Sequence, residues 1–307
     1  MWNGHHLLSC RGADAAQARE LLSLAHADAF DGAGLNGRTV ANLFFEDSTR
    51  TRVSFTIAAQ KLGARVVDLG SKGSSLSKGE SLIDTAWTIE SMGVDALVVR
   101  AAQSGACELI SRHVDIPVIN AGDGMHQHPT QALTDALNIG RAHGRTGGWD
   151  FSGLHVVIVG DVVSSRVARS NAALLRALGA RVTLCGPAMM CPGSLSGLGC
   201  EVSHDLDALV DQADVMMMLR IQFERGGGAR LASSRLYHAC YGLTLRRAAR
   251  MKEGAIVMHP GPMNRGVEIA GEVADGSRSV IRDQVEGGVL VRKAALRLAM
   301  DRASSDS

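Results

Sequence analysis

A chain of 307 residues is long for a single core, so two domains of about 150 residues each are the default expectation. The composition is that of an ordinary globular protein, 46% hydrophobic and 21% charged, and a formal net charge of +1 gives no bulk electrostatic reason to expect a nucleic-acid or acidic-membrane partner. No stretch reaches the roughly 20 apolar residues of a membrane span, Met1 to Arg11 makes a poor signal peptide, and six scattered cysteines (10, 107, 185, 191, 200 and 240) without a C-x-x-C pair read as reduced thiols of a cytoplasmic chain, not as disulfides or zinc ligands.

Short apolar runs and helical patterns alternate along the chain. Strands are predicted over Thr39–Phe44, Arg65–Leu69, Asp95–Val99 and Pro117–Asn120, with helical patterns over Thr51–Leu62, Ser81–Ser91, Gly105–His113 and Pro129–Ala142. Beyond the Gly-rich polar stretch Gly144–Asp150, the best domain boundary, strands are predicted over Leu154–Val159, Arg181–Cys185, Glu201–Ser203, Asp214–Leu219 and Ala255–Met258. Helices are predicted there over Ser165–Leu178, Leu206–Gln212 and Leu245–Met251. A last helix, about Glu286–Arg302, has no strand after it and can pack on either domain; the tail Ser304–Ser307 is expected to lie outside ordered structure. This alternation implies βαβ units and an α/β fold of two doubly wound, parallel-sheet domains.

In such sheets ligands bind beyond the carboxyl ends of the strands. Those positions carry Glu46 to Arg52, Arg100, Gly122 to His128, Gly160-Asp161 with Ser164 to Arg166, Arg220 with Gln222, and His259-Pro260-Gly261-Pro262. Basic and amide side chains thus gather at one edge of both sheets, as a cleft for anions between two domains requires. Ser48 to Arg52 is the sharpest element. Ser48 or Asp47 can cap a helix starting near Thr51, whose free N–H groups, the hydroxyls of Ser48, Thr49 and Thr51, and the Arg50 guanidinium suit a phosphate. No Walker loop is present. His128, before Pro129, sits at a helix N-terminus, where the dipole favours neutral imidazole able to donate to a carbonyl oxygen; Gln131 lies one turn on, and His126 reads as loop. Gly70 to Gly79 reads either as a mobile active-site loop or as a plain polar turn. Gly160-Asp161 after Val156 lacks G-x-G-x-x-G spacing, so a dinucleotide site is disfavoured.

Together these motifs resemble the aspartate/ornithine carbamoyltransferase family over essentially the whole chain. Phe44-Phe45-Glu46-Asp47-Ser48-Thr49-Arg50-Thr51 is similar to its F-x-[EK]-x-S-[TG]-R-T signature, and His128-Pro129-Thr130-Gln131 to its second. Ser75 with Lys78-Gly79-Glu80, Asn120 to Gln131, Arg220-Ile221-Gln222 with Glu224-Arg225, and His259-Pro260-Gly261-Pro262 with Asn264 to Ile269 resemble the aspartate branch. The ornithine branch would place Cys after the His of its H-C-L-P segment; here Pro260 follows His259.

The resemblance implies carbamoyl transfer from carbamoyl phosphate to L-aspartate, a step of pyrimidine biosynthesis, without cofactor or metal. It implies a carbamoyl phosphate-binding domain of residues 1–143 with the C-terminal helix 285–307, an aspartate-binding domain of residues 144–284, and an active site in the cleft between them. Ser48, Thr49, Arg50, Thr51 and Arg100 would hold the phosphate, and His128 and Gln131, with Thr51, the carbamoyl group. Arg166 and Arg220, with Gln222 and Lys78, would hold aspartate. The carbonyls of Gly261 and Pro262 would orient the carbamoyl nitrogen or the amine. Ser75 and Lys78 would come from a neighbouring subunit, making a homotrimer the smallest active unit. Whether regulatory chains or a dihydroorotase-like partner join it is left open. Leu236 stands where relatives carry an acidic residue before the Tyr, which bears on closure of the loop and not on the chemistry. The competing readings are transfer to another amino acid such as ornithine, and an inactive scaffold that has lost the chemistry; the Arg, Lys and His set is intact.

Overall fold

The computed structural model describes residues 1–28, 30, 34–70, 80–223 and 233–306. Contacts divide the chain into two compact units, Met1–Leu137 with Glu286–Ser307, and Asn138–Val285.

The first unit is built on β1 (Trp2–Asn3), β2 (His6–Leu7), α1 (Ala15–Ala27), β3 (Thr39–Phe44), α2 (Thr49–Lys61), β4 (Arg65–Gly70), α3 (Leu82–Ser91), β5 (Ala96–Ala101), α4 (Ala106–Ser111), β6 (Val118–Asp123) and α5 (Pro129–Ala142). Its sheet order is β1-β2-β6-β5-β3-β4, with β1 antiparallel to β2 and every other pairing parallel. Ala41, Leu43, Leu97, Val99 and Val118 bury one face of the sheet against Ile89 of α3 and Ile110 of α4. The N-terminal hairpin is absent from the predicted elements because two-residue strands carry no readable alternation. α1 was also missing, although Asp14 caps it by accepting from Ala16 N and Ala18, Leu21, Leu22 and Ala25 form a buried stripe.

The second unit follows with β7 (His155–Val159), α6 (Arg166–Ala177), β8 (Arg181–Cys185), a 3-10 turn (Gly193–Leu198), β9 (Glu201–Ser203), β10 (Val215–Met218), α7 (Ser234–Tyr241), α8 (Leu245–Ala248), β11 (Ile256–Met258) and α9 (Gly271–Ala274). Its sheet is parallel throughout, in the order β11-β10-β7-β8-β9. Val157, Val159, Met216, Met218 and Val257 lie in one buried cluster, which accounts for the unbroken apolar runs of these strands.

Three local expectations are corrected. Leu206 to Gln212 forms turns, not a helix: Val210 N and Ala213 N reach back four residues, but Leu209 N and Gln212 N reach back three. Arg247 and Arg250 both clasp Asp207, pinning the segment before a helix propagates. The last helix, α10 (Ile281–Asp306), begins before Glu286, and the tail through Asp306 is helical. No helix among the described residues is long and apolar enough to cross a membrane.

Histidine environments give the fold a pH dependence. Burial pushes His6 down to about 4 and holds His143 and His155 below the ordinary imidazole value, whereas a hydrogen bond to Asp123 raises His126. A lowered group contributes stability above the unfolded value of 6.5 and loses it as pH falls toward the folded value. His126 acts oppositely, contributing below 6.5 and fading as pH rises through its raised value. Three lowered groups outweigh one raised group, so the thermal unfolding midpoint is expected to fall on acidification from about pH 7 to about pH 5. A midpoint that rose over that interval would contradict the assignment.

Candidate functional site

A doubly wound sheet opens a crevice where its strand order reverses. In the first sheet the chain runs from β3 outward to β4 and returns to the other side as β5, so the reversal lies between the carboxyl ends of β3 and β5. In the second it runs from β7 through β8 and β9 and returns as β10, so the reversal lies between β7 and β10. Both reversals carry residues singled out in the sequence.

At the first, β3 ends at Phe44, directly opposite Arg100 of β5, and Phe45 N donates to Arg100 O at 2.8 Å. α2 starts at Thr49, two residues earlier than expected, so Thr49, Arg50 and Thr51 occupy its first turn. Ser48 has the extended cap conformation but makes no side-chain capping bond. The first-turn N–H groups therefore receive no hydroxyl from their own cap, which is the arrangement an anion completes. Thr51 is buried, while Thr49 and Arg50 are exposed at the turn.

Arg100 lies within β5, not after it. The β5–β6 register shifts between Val99 and Ala101, so two steps on β5 face three on β6. Such a bulge re-aims a side chain. Arg100 Nη1 donates to Ala121 O at 3.1 Å, and Nη2 lies 3.7 Å from Glu46 Oε1 in the link to α2. The guanidinium is thus tethered beside the start of α2 by a loose ion pair.

His128 is 4% exposed and stands immediately before α5, its carbonyl accepting from Gln131 N at 3.0 Å and Ala132 N at 3.3 Å. Its Nδ1 lies 3.5 Å from the Thr130 hydroxyl. The loop that presents it hangs on Asp123, which the sequence places at the strand end without a role. The Asp123 carboxylate accepts from Asn120 Nδ2 (2.9 Å), Gln127 N (3.0 Å) and Gly105 N (2.7 Å), and holds His126 Nδ1 at 2.9 Å. Gln131 sends Nε2 to Asp135 at 2.9 Å. Asp135 is wholly buried, and its charge offsets that of Arg292 of α10, which is 4% exposed. Arg292 also donates to Ser54 Oγ at 3.1 Å and lies over the Phe55 ring of α2. A Cβ at Gly288, one turn earlier on α10, would overlap Arg292 Nη1, so a larger residue there would push the guanidinium from its place.

At the second reversal, β7 leads through Gly160 and buried Asp161 to α6, where Ser165 caps by accepting from Ala168 N at 3.1 Å and Arg166 is the first helical residue. Gly160 has φ 137°, and a Cβ there would press on Leu219 at the end of β10. Close approach of two strand ends thus explains a glycine that superficially suggested a dinucleotide turn. Beyond β10, Leu219 N donates to Val159 O at 2.8 Å, and Arg220, Ile221 and Gln222 follow. Arg166 and Arg220 therefore stand at the two sides of one reversal. Gly261 and Pro262 follow β11, joined by a cis peptide bond. Ser75, Lys78, Glu224 and Arg225 lie outside the described residues.

No group of three or more His, Cys, Asp or Glu side chains among the described residues is arranged to hold a metal ion. Five cysteines are buried and one, Cys240, is exposed; burial pushes Cys10 and Cys185 up to about 12 and Cys191 up to about 11. Those three are thiols, not thiolate nucleophiles, at neutral pH.

Residues 5–141 match the family model for the aspartate/ornithine carbamoyltransferase carbamoyl-P binding domain, and residues 152–299 that for the Asp/Orn binding domain. The chain is 52% identical over 297 residues to the aspartate carbamoyltransferase catalytic subunit of Myxococcus xanthus, covering 95% of this chain and 98% of that one. The same subunit from Gluconobacter oxydans is 53% identical over 299 residues, covering 95% and 94%. Aspartate transcarbamoylase from Trypanosoma cruzi, solved in complex with carbamoyl phosphate and aspartate, has a TM-score of 0.84 and 31% identity, covering 96% of each chain. Ornithine carbamoyltransferase from Pyrococcus furiosus also reaches 0.84, at 29% identity over 97% of each chain. Backbone likeness alone thus does not separate the two acceptors.

Proposed function

We infer that this chain, which belongs to the aspartate/ornithine carbamoyltransferase family, transfers the carbamoyl group of carbamoyl phosphate to the α-amine of L-aspartate, giving N-carbamoyl-L-aspartate and phosphate. We assign the step to pyrimidine biosynthesis in a cytoplasmic homotrimer.

The observation that carries the reading is the pair of unlike cation sets at the two sheet reversals. At the first, hydroxyls, helix N–H groups and Arg100 suit a phosphate. At the second, two Arg side chains suit a dicarboxylate, because guanidinium binds carboxylate bidentately. In this proposal Ser48, Thr49, Arg50, Thr51 and Arg100 hold the phosphate. His128 and Gln131, with Thr51, address the carbamoyl oxygen. Arg166 and Arg220, with Gln222, hold aspartate. Gly261 and Pro262 offer carbonyls to the amine or carbamoyl nitrogen. Ser75 and Lys78 are assigned to a neighbouring subunit, which is why the trimer is the smallest active unit proposed.

The chemistry fits these parts. The amine attacks the carbonyl carbon, a C–N bond forms, the C–O bond to phosphate breaks, and an amine proton leaves with the phosphate. Such a step needs positioning, a donor to the developing oxyanion and cations on the leaving group, and no protein nucleophile. Identity of about half to subunits named for aspartate, with Arg220-Ile221-Gln222 after β10, favours aspartate over ornithine. A colorimetric ureido assay is expected to give product with L-aspartate and none with L-ornithine; the reverse result would overturn the assignment.

A further inference from the structure

We infer that Glu268 is a positioning residue of the second unit, holding the Gly261–Pro262 segment and the Arg220–Gln222 segment in one mutual geometry. The inference rests on the function proposed above and extends it to residues that touch neither substrate.

Glu268 is wholly buried, and the side chain of its partner His259 is too. His259 Nε2 lies 3.0 Å from Glu268 Oε1. The other ring nitrogen, Nδ1, accepts from Gly261 N at 2.8 Å. A nitrogen that accepts carries no proton, so Nε2 holds it and donates to the carboxylate. The imidazole is thereby fixed as one neutral tautomer, and Gly261 is tied to Glu268 through it. His259 is fixed from behind as well, its own N donating to Gln284 Oε1 at 3.0 Å.

The same carboxylate reaches the second segment through Asn264. Asn264 N donates to Glu268 Oε1 at 2.5 Å, and Asn264 Nδ2 donates to Ile221 O at 2.9 Å. Ile221 is fully buried, in a cluster with Met190 and Tyr237. Arg220 and Gln222 therefore extend from a residue held by packing on its side chain and by Asn264 on its carbonyl. Glu268 thus links, by two short chains of hydrogen bonds, the segments assigned to the amine and to the aspartate carboxylates. A buried carboxylate is costly and persists where its acceptor bonds are all used. Here an apolar residue of equal size would fill the space and release both segments.

Two variants test this. Asn264→Ala removes the tie to Ile221 and the long 3.4 Å side-chain bond to Glu268 Oε2, leaves the Asn264 N and His259 bonds to Glu268 in place, and is expected to raise the aspartate KM at least about fivefold with kcat within about twofold. Glu268→Gln weakens both ties and is expected to raise that KM and lower kcat, each about tenfold. Inorganic phosphate, which the first unit alone holds, is expected to keep its Kd within about twofold in both. Unchanged aspartate KM in both folded variants would overturn the inference. So would a phosphate Kd that shifts in parallel with that KM, the mark of general loosening. If Glu268→Gln does not fold, Asn264→Ala decides alone. A wild-type chain without activity on aspartate would instead remove the underlying function, whereas an active wild type with unaffected variants removes only the inference.

Discussion

Arg50→Ala is expected to lower kcat/KM for carbamoyl transfer by about a thousandfold, read in steady state with both substrates varied. Arg50 occupies the first turn of α2, whose cap supplies no side-chain bond to the exposed N–H groups. A phosphate seated there gains charge on its bridging oxygen as the C–O bond breaks. In the proposed assignment the guanidinium fork answers that charge, so its loss is expected to fall mainly on the transition state. Arg50→Lys keeps the charge without the fork and is expected to recover part of the rate. The side chain is exposed, so the truncation is expected to change stability by no more than about 0.5 kcal/mol. An unchanged rate would show that phosphate binds elsewhere.

Asp135→Ala is expected to cost about 3–5 kcal/mol of stability, read as a lowered denaturation midpoint. The residue is wholly buried, and its charge offsets part of the burial that, even with Asp135 present, holds the Arg292 guanidinium down to about 10. Truncating the carboxylate leaves that cation in the interior beside the Ser54 hydroxyl and the Phe55 ring, without its countercharge. Activity is expected to fall as well, because Gln131 loses the acceptor of its amide. A double variant, Asp135→Leu with Arg292→Met, replaces the pair by apolar groups and is expected to regain most of the stability but not the rate. If the single variant were as stable as the wild type, the buried pair would not be the link between α10 and α5.

The local sequence carried much of this protein. Apolar runs located every strand of both sheets except the N-terminal hairpin, because period and length are local properties. Ser48-Thr49-Arg50-Thr51 announced a phosphate-suited helix start, and Arg220-Ile221-Gln222 with His259-Pro260-Gly261-Pro262 pointed to one branch of a family. Leu206 to Gln212 had a helical pattern and became turns, since long-range bonds to Asp207 outweigh a propensity of a few tenths of a kcal/mol per residue.

Tertiary structure alone decided the rest. Strand order, and hence which strand ends flank each reversal, depends on the side toward which each crossover turns, and no residue pattern states that. The bulge that aims Arg100 exists only between paired strands. Asp123 and Glu268 lay inside quoted motifs and Asp135 outside them, but none of the three has a role legible in the sequence. Their work is done against Gly105 N, the Arg292 guanidinium and the His259 imidazole, and a polar group elsewhere in the chain becomes a partner only when packing brings the two together away from water. The residues proposed to meet the substrates were thus singled out by local motifs and by family resemblance, and those that hold them in place emerged only from the fold.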